Sequence, residues 1–253
     1  MVKLEFNVID LVELQLIENT ISARLSEIEE VRNSKELSSA SEEFKRASKN
    51  FEEINDEYTA LESKRKKLED TVEMQNGKIK ANENKLFSGT ITSAKELESY
   101  QEEVKILKQK NSELEDQILE IMIEMEEKFD KVKQAQVGKN KAEANVNRIR
   151  NEVNEKIEVL KNIIEGLKKR VNNLTSKIPS EYLKKYKELK NKKGGIAVVV
   201  LKDNFCSVCN MQIPAIAAEE IEDINKIYRC PLCGRMAVIY RDEIDAIKKE
   251  LES

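Results

Sequence analysis

From Leu97 onward, nearly every seventh residue is apolar. The row runs Leu97, Val104, Asn111, Ile118, Met125, Val132, Lys139, Val146, Val153, Leu160, Leu167, Leu174. Three residues after each comes a second row: Tyr100, Leu107, Leu114, Ile121, Lys128, Ala135, Ala142, Ile149, Lys156, Ile163, Arg170, Lys177. A sustained seven-residue repeat keeps one helical seam facing a partner helix and imposes a left-handed supercoil. The polar residues within the rows are expected to set register or to snorkel to solvent.

The partner helix lies upstream in the same chain. Leu37, Phe44, Phe51, Tyr58, Arg65, Val72, Ile79 and Leu86 form one row, with Ala40, Ala47, Ile54, Leu61, Leu68, Gln75 and Asn82 three residues on. Leu11, Leu14, Ile21, Leu25 and Ile28 keep heptad spacing in another phase, so a kink, stutter or short loop is expected between Val31 and Leu37. The two arms meet at Leu86-Phe-Ser-Gly-Thr-Ile-Thr-Ser-Ala94. There Gly89 can turn left-handed, and Ser93, with Glu96 three residues on, can cap the returning helix. Each arm has about 80 residues, roughly 120 Å of helix. With Leu86 opposite Ala94, paired residue numbers sum to about 180, a register estimate from the heptads. That register sets Lys64–Lys67 against Glu113–Asp116, Asp10 and Glu13 beside Lys168–Arg170, and Ala40 and Ala47 near Ala135 and Ala142.

Pro179 ends the pattern. A short helix is expected over 180–190, stopped by Gly194-Gly195, and then a β-branched run, Ile196–Leu201, reads as a strand. It leads into Cys206-Ser-Val-Cys209; Ile227–Arg229 leads into Cys230-Pro-Leu-Cys233, and Met236–Tyr240 leaves it. Asn210 and Gly234, after the second cysteine of each pair, tolerate the positive φ of a knuckle exit. Two Cys-x-x-Cys knuckles flanked by strands read as a zinc ribbon, with Cys206, Cys209, Cys230 and Cys233 as ligands of one structural zinc ion. A thioredoxin-type dithiol would need one pair in a βαβ setting. A terminal helix is expected over 242–251. The fold class is therefore mainly α: a long antiparallel coiled-coil hairpin over 1–178, with its tip at about 87–93, then a small β zinc ribbon with flanking helices over 179–253.

Composition agrees and narrows the chemistry. Of 253 residues 36% are charged and 5% aromatic, too few aromatics for one large globular core. Histidine is absent, which removes the commonest general base and mixed Cys/His metal sites. No Gly-rich phosphate loop or open metal site is visible, so no enzyme is expected. No apolar run reaches the roughly 20 residues of a membrane span, and the charged start lacks secretory-signal character. A cytoplasmic protein with metal-bound thiols, rather than disulfides, is expected.

Two binding chemistries are legible. An adaptor would hold protein partners along the coiled coil and ribbon, with Phe87 and Ile91 as candidate tip contacts, though packing of the turn itself is the favoured reading of these two. The alternative is nucleic acid on a basic neck: Lys184, Lys185, Lys187, Lys190, Lys192 and Lys193, interleaved with Tyr182 and Tyr186, plus Arg229 and Arg235 at the second knuckle. The near-neutral balance of the chain, net −4, and a ribbon with more acidic than basic residues weigh against it. Either a monomer or a dimer of hairpins fits.

Several stretches resemble a known family. Pro179 with Tyr186, Gly195-Ile-Ala-Val-Val199, Gln212-Ile-Pro214 and Cys230-Pro-Leu-Cys-Gly-Arg235, together with the tip sequence Leu86-Phe-Ser-Gly89, Lys95-Glu-Leu97 and Gln101-Glu-Glu103, are similar to bacterial C4-type zinc-ribbon proteins with an N-terminal coiled-coil hairpin. The resemblance implies non-enzymatic adaptors, some associated with the alternative sigma factor sigma-54, with flagellar or type III secretion machinery, or with RNA. The segment Asp242–Ser253 extends past the point where many such proteins end.

Overall fold

A computed structural model of the chain describes residues 6–89, 91–214, 223 and 225–252. Thr90 of the expected tip and Ser253 lie outside the described residues. The elements are α1 (Ile9–Arg32), α2 (Lys35–Phe87), α3 (Ala94–Lys177), α4 (Ser180–Lys192), β1 (Val198–Lys202), β2 (Phe205–Cys206), β3 (Tyr228–Arg229), β4 (Met236–Ile239) and α5 (Asp242–Glu252). Packing divides the chain into two compact units, residues 35–151 and residues 1–34 with 152–253. This is not the expected division at 178/179. The physical reason is a core that the ribbon shares with α1 and the end of α3, described below.

The first unit is an antiparallel hairpin of α2 and the N-terminal two-thirds of α3. Gly89 turns it at φ +69°, as its position required. Core rows bury Ala40 and Ile79 on α2 and Val104, Ile121, Met125, Ala142, Val146 and Ile149 on α3. Three of the polar residues within the rows are paired across the seam. The Asn111 amide donates to Asn76 at 2.8 Å, Asn82 donates to Glu103 at 3.0 Å, and Lys128 pairs with Glu57. Lys139 sits over the Phe51 ring, 4.9 Å from its centroid.

These pairs correct the register. Asn76 with Asn111 and Tyr58 with Phe129 both sum to 187, not 180. The shift is one heptad, and sliding a coiled coil by one heptad restores the same apolar match. The repeat alone therefore could not choose between the two. Lys64–Lys67 accordingly do not pair with Glu113–Asp116, and Arg65 instead reaches Glu69 on its own helix at 3.4 Å.

In the second unit α1 packs antiparallel on residues 152–177 of α3. The expected inner row there, Lys156, Ile163, Arg170 and Lys177, is displaced by one residue. Ile157, Ile164 and Ile178 are buried instead, Val171 is half-buried, and Ile163 is exposed. From Ile149 the core spacing reads four, four, three, four, which is a stutter. It brings α3 into phase with α1, whose own phase differs from that of α2. Asn33 and Ser34 separate those two helices: the Asn33 N–H returns to the Glu29 carbonyl and the Ser34 N–H to Val31. Arg170, freed from the seam, bonds Glu13 as expected and also Glu250 of α5.

The sheet order is β2-β1-β4-β3, with two antiparallel hairpins joined by a parallel β1–β4 pair. Asp203 and Asn204, both at positive φ, make the two-residue turn between β1 and β2. Both faces of the central pair are buried, which explains the unbroken run Val198–Leu201. Val198, Met236 and Val238 pack on Leu11, Leu14, Ile17, Leu174 and Tyr186. Val199, Leu201 and Ala237 pack on Cys206, Cys230 and Ile213. Alternate residues of one strand thus join the helices to the cysteine knuckles.

Candidate metal centre and basic cleft

Each knuckle is built the same way. The backbone N–H of Asn210 returns to the Cys206 carbonyl at 3.0 Å, and that of Gly234 to Cys230 at 2.9 Å. The first cysteine of each pair donates its own N–H five residues on, Cys206 to Met211 and Cys230 to Arg235. Such a loop needs a left-handed residue at its exit; Asn210 has φ +52° and Gly234 φ +71°. The result brings Cys206, Cys209, Cys230 and Cys233 together, with all four sulfurs within 4.8 Å of one another and Cys209 Sγ 4.0 Å from Cys230 Sγ. Four thiolates bound at about 2.3 Å define a tetrahedron with edges of about 3.8 Å. The donor set and its spacing fit a four-coordinate metal ion.

The electrostatics of the site favour a central cation. Cys206 and Cys230 are buried. Burial is the main reason that the Cys206 thiol is pushed up to about 12. Burial also raises Cys233, but the Arg235 backbone N–H, its guanidinium and the neighbouring thiols outweigh it and bring that group down to about 7. A cation among these sulfurs stabilises their charged form and offsets desolvation.

The candidate basic residues do not act as one group. Lys190 is spent on Glu18, which also accepts from the Tyr186 hydroxyl. Arg235 is spent on backbone carbonyls, its Nε donating to Ile196 at 2.9 Å and its terminal nitrogen to Lys193 at 2.8 Å. It ties the loop after α4 to the second knuckle. Lys185, Lys192 and Arg229 line a cleft of about 390 Å³ with Tyr182, Tyr228 and Glu188. Lys193 and Arg229 border a hollow over Cys230–Gly234. Lys184 and Lys187 are exposed on α4 and line neither. At the tip Phe87 is 88% exposed, which overturns the expectation that it packs the turn, while Ile91 is half-buried.

A match to the CT398-like coiled coil hairpin domain covers residues 15–194. The chain belongs to the CT398-like coiled-coil hairpin family. Among solved structures, CT398 from Chlamydia trachomatis is similar at 19% identity and a TM-score of 0.56, over 91% of this chain and 95% of that one. A protein from Mycobacterium smegmatis is similar at 20% identity and 0.57, over 93% and 100%. The HP0958 protein of Helicobacter pylori matches at 20% identity, over 93% and 99%, with a TM-score of 0.46. These likenesses concern the fold. No curated protein matches the sequence. Among the described residues no helix is long and apolar enough to cross a membrane.

Sequence reasoning missed Gln15. Its side chain, buried on α1, donates from Nε2 to the Val198 carbonyl at 2.8 Å, and its Oε1 accepts from the N–H groups of Ala197 at 2.7 Å and Val198 at 2.8 Å. Next along β1, Val200 exchanges bonds with Ser207, backbone to backbone at 2.9 Å and backbone to hydroxyl at 3.0 Å. One amide and one serine thus complete the edge of β1 that short β2 leaves open. The available signal was a polar residue inside the apolar run Leu11–Ile17.

Proposed function

We propose that this protein is a non-enzymatic, cytoplasmic adaptor whose hairpin and ribbon bind protein partners, and that its four cysteines hold one structural zinc ion. The observation that carries the adaptor reading is apolar surface at the hairpin tip that the fold does not use, with Phe87 88% exposed beside the Gly89 turn. Zinc is the metal that best suits four thiolates in a tetrahedron, and a four-sulfur set leaves no position for substrate. The family resemblance makes sigma-54 and flagellar or type III secretion components the first partners to try. Affinity capture from native extract, with and without nuclease, tests the reading. One or more protein partners should survive nuclease and be lost with Phe87→Ser. Capture that depends wholly on nuclease-sensitive material would refute it.

A second reading, nucleic-acid binding, is favoured by Lys185, Lys192, Lys193 and Arg229, which are exposed and make no ion pair among the described residues. RNA or DNA binding should then weaken steeply with salt and vanish in Lys185→Glu/Lys192→Glu. Lys184→Glu/Lys187→Glu should matter less.

A further inference from the structure

The hairpin carries a second apolar surface, away from its tip. Residues 118–125 of α3 read Ile-Leu-Glu-Ile-Met-Ile-Glu-Met, apolar on almost every side of the helix. Ile121 and Met125 are buried and Ile118 half-buried against α2. Leu119, Met122 and Ile123 are left 57%, 46% and 64% exposed. Their i, i+3, i+4 spacing sets them side by side on one face. Met122 stands one turn from Ile118, which closes a hollow of about 510 Å³ walled on α2 by Glu69, Val72, Glu73 and Gly77. A helix that is apolar all round is normally covered on all sides, and here one face lacks its cover.

The charge around this face selects what would cover it. Glu73 on α2 and Glu115, Asp116, Glu120 and Glu126 on α3 are exposed and make no ion pair among the described residues. Against them stand two cations, Lys80, which lines the hollow, and exposed Lys66, which the corrected register sets opposite Ile121, so the rim remains acidic. A two-fold copy of this chain would set the acidic rim against itself, and a phosphate backbone would meet the same repulsion. We propose that this face is the docking site for a Lys/Arg-rich amphipathic helix of a partner protein. Its apolar ridge lies on Leu119, Met122 and Ile123, one side chain enters the hollow beside Ile118, and its cations face the acidic rim. Apolar anchors at i, i+3, i+4 and i+7 with basic flanks are the matching pattern. The proposal rests on the adaptor reading and gives it one partner chemistry.

The test uses the full chain and a fluorescent Leu/Lys amphipathic peptide of about 18 residues, five helical turns, with its Glu-for-Lys counterpart as control. Anisotropy should show saturable binding of the basic peptide, weakened at least tenfold by Leu119→Gln/Ile123→Gln and by added salt. The acidic peptide should not bind, and Val159→Gln, an exposed apolar change elsewhere on α3, should have no effect. All three altered residues are exposed, so helicity by circular dichroism should be unchanged. Equal affinity in the double variant, or equal loss in Val159→Gln, overturns the proposal. So does wild-type self-association abolished by the double variant, which would assign the face to a second copy. If peptide binding fails while nuclease-resistant capture persists, this docking site is wrong and the adaptor reading stands; if both fail, both fall.

Discussion

Replacing Gln15 with leucine keeps the size of the side chain and removes every hydrogen bond it makes. Three backbone groups then lose their partner: the Ala197 N–H, the Val198 N–H and the Val198 carbonyl. Both residues are buried, so water does not replace the amide. An unsatisfied buried backbone group costs about 1–3 kcal/mol, so the three together give roughly 3–9 kcal/mol before the apolar gain of leucine offsets about 1 kcal/mol. The expected loss is about 2–8 kcal/mol, confined to the unit that contains the ribbon. Native-state hydrogen exchange reads it locally: the Val198 and Val200 amides should exchange at least about thirtyfold faster, while residues 35–151 are unaffected. Gln15→Glu separates donor from acceptor. Its carboxylate keeps both N–H partners but cannot donate to the Val198 carbonyl, and it must be buried charged. Protonation restores the donor, so this variant should gain stability relative to wild type as pH falls towards 4. Exchange at Val198 changed less than tenfold by leucine would refute the claim that this amide completes the strand.

Other consequences can be checked. Purified protein should contain about one zinc per chain, and either a strong chelator or Cys230→Ser should disorder β1–β4 together with α4 and α5, leaving the helicity of residues 35–151 in place. Tyr186, fully buried, has its hydroxyl pushed well above the ordinary tyrosine value, first by burial and then by its bond to Glu18. The unfolded chain loses this proton near pH 10 and the folded chain keeps it. Stability should therefore hold below pH 10 and fall above it, and Tyr186→Phe should reduce the slope by about 1.4 kcal/mol per pH unit. Asn111→Leu should raise the denaturation midpoint of the hairpin by removing a polar group from the seam. It should also admit a second register one heptad away, visible as a second distance between spin labels placed on α2 and α3.

The helices, the hairpin turn and the four-cysteine cluster were legible because each is local or periodic. Gly89, Asn210 and Gly234 announced left-handed turns, and the two Cys-x-x-Cys pairs announced their convergence. Register was less legible, because a heptad repeat is blind to a slip of one repeat and polar cross-pairs such as Asn76 with Asn111 decide it. The stutter after Ile149 was present in the sequence as the apolar residues Ile157, Ile164, Val171 and Ile178, each one place beyond a mostly charged row. An unbroken seven-step count passed over them. The fate of the lysines was illegible for a different reason. Whether Lys190 or Lys192 is free depends on where Glu18 arrives, from more than 170 residues away.

The clasp between Gln15 and β1 spans more than 180 residues of chain. A growing polypeptide therefore displays Leu11, Leu14 and Ile17 long before Val198, Met236 and Val238 leave the ribosome to cover them. The hairpin of residues 35–151 closes from its own turn and needs no such wait. Synthesis thus yields a folded middle with a sticky leading end, and a pause or truncation before Val238 leaves that end open to chaperones, proteases and aggregation.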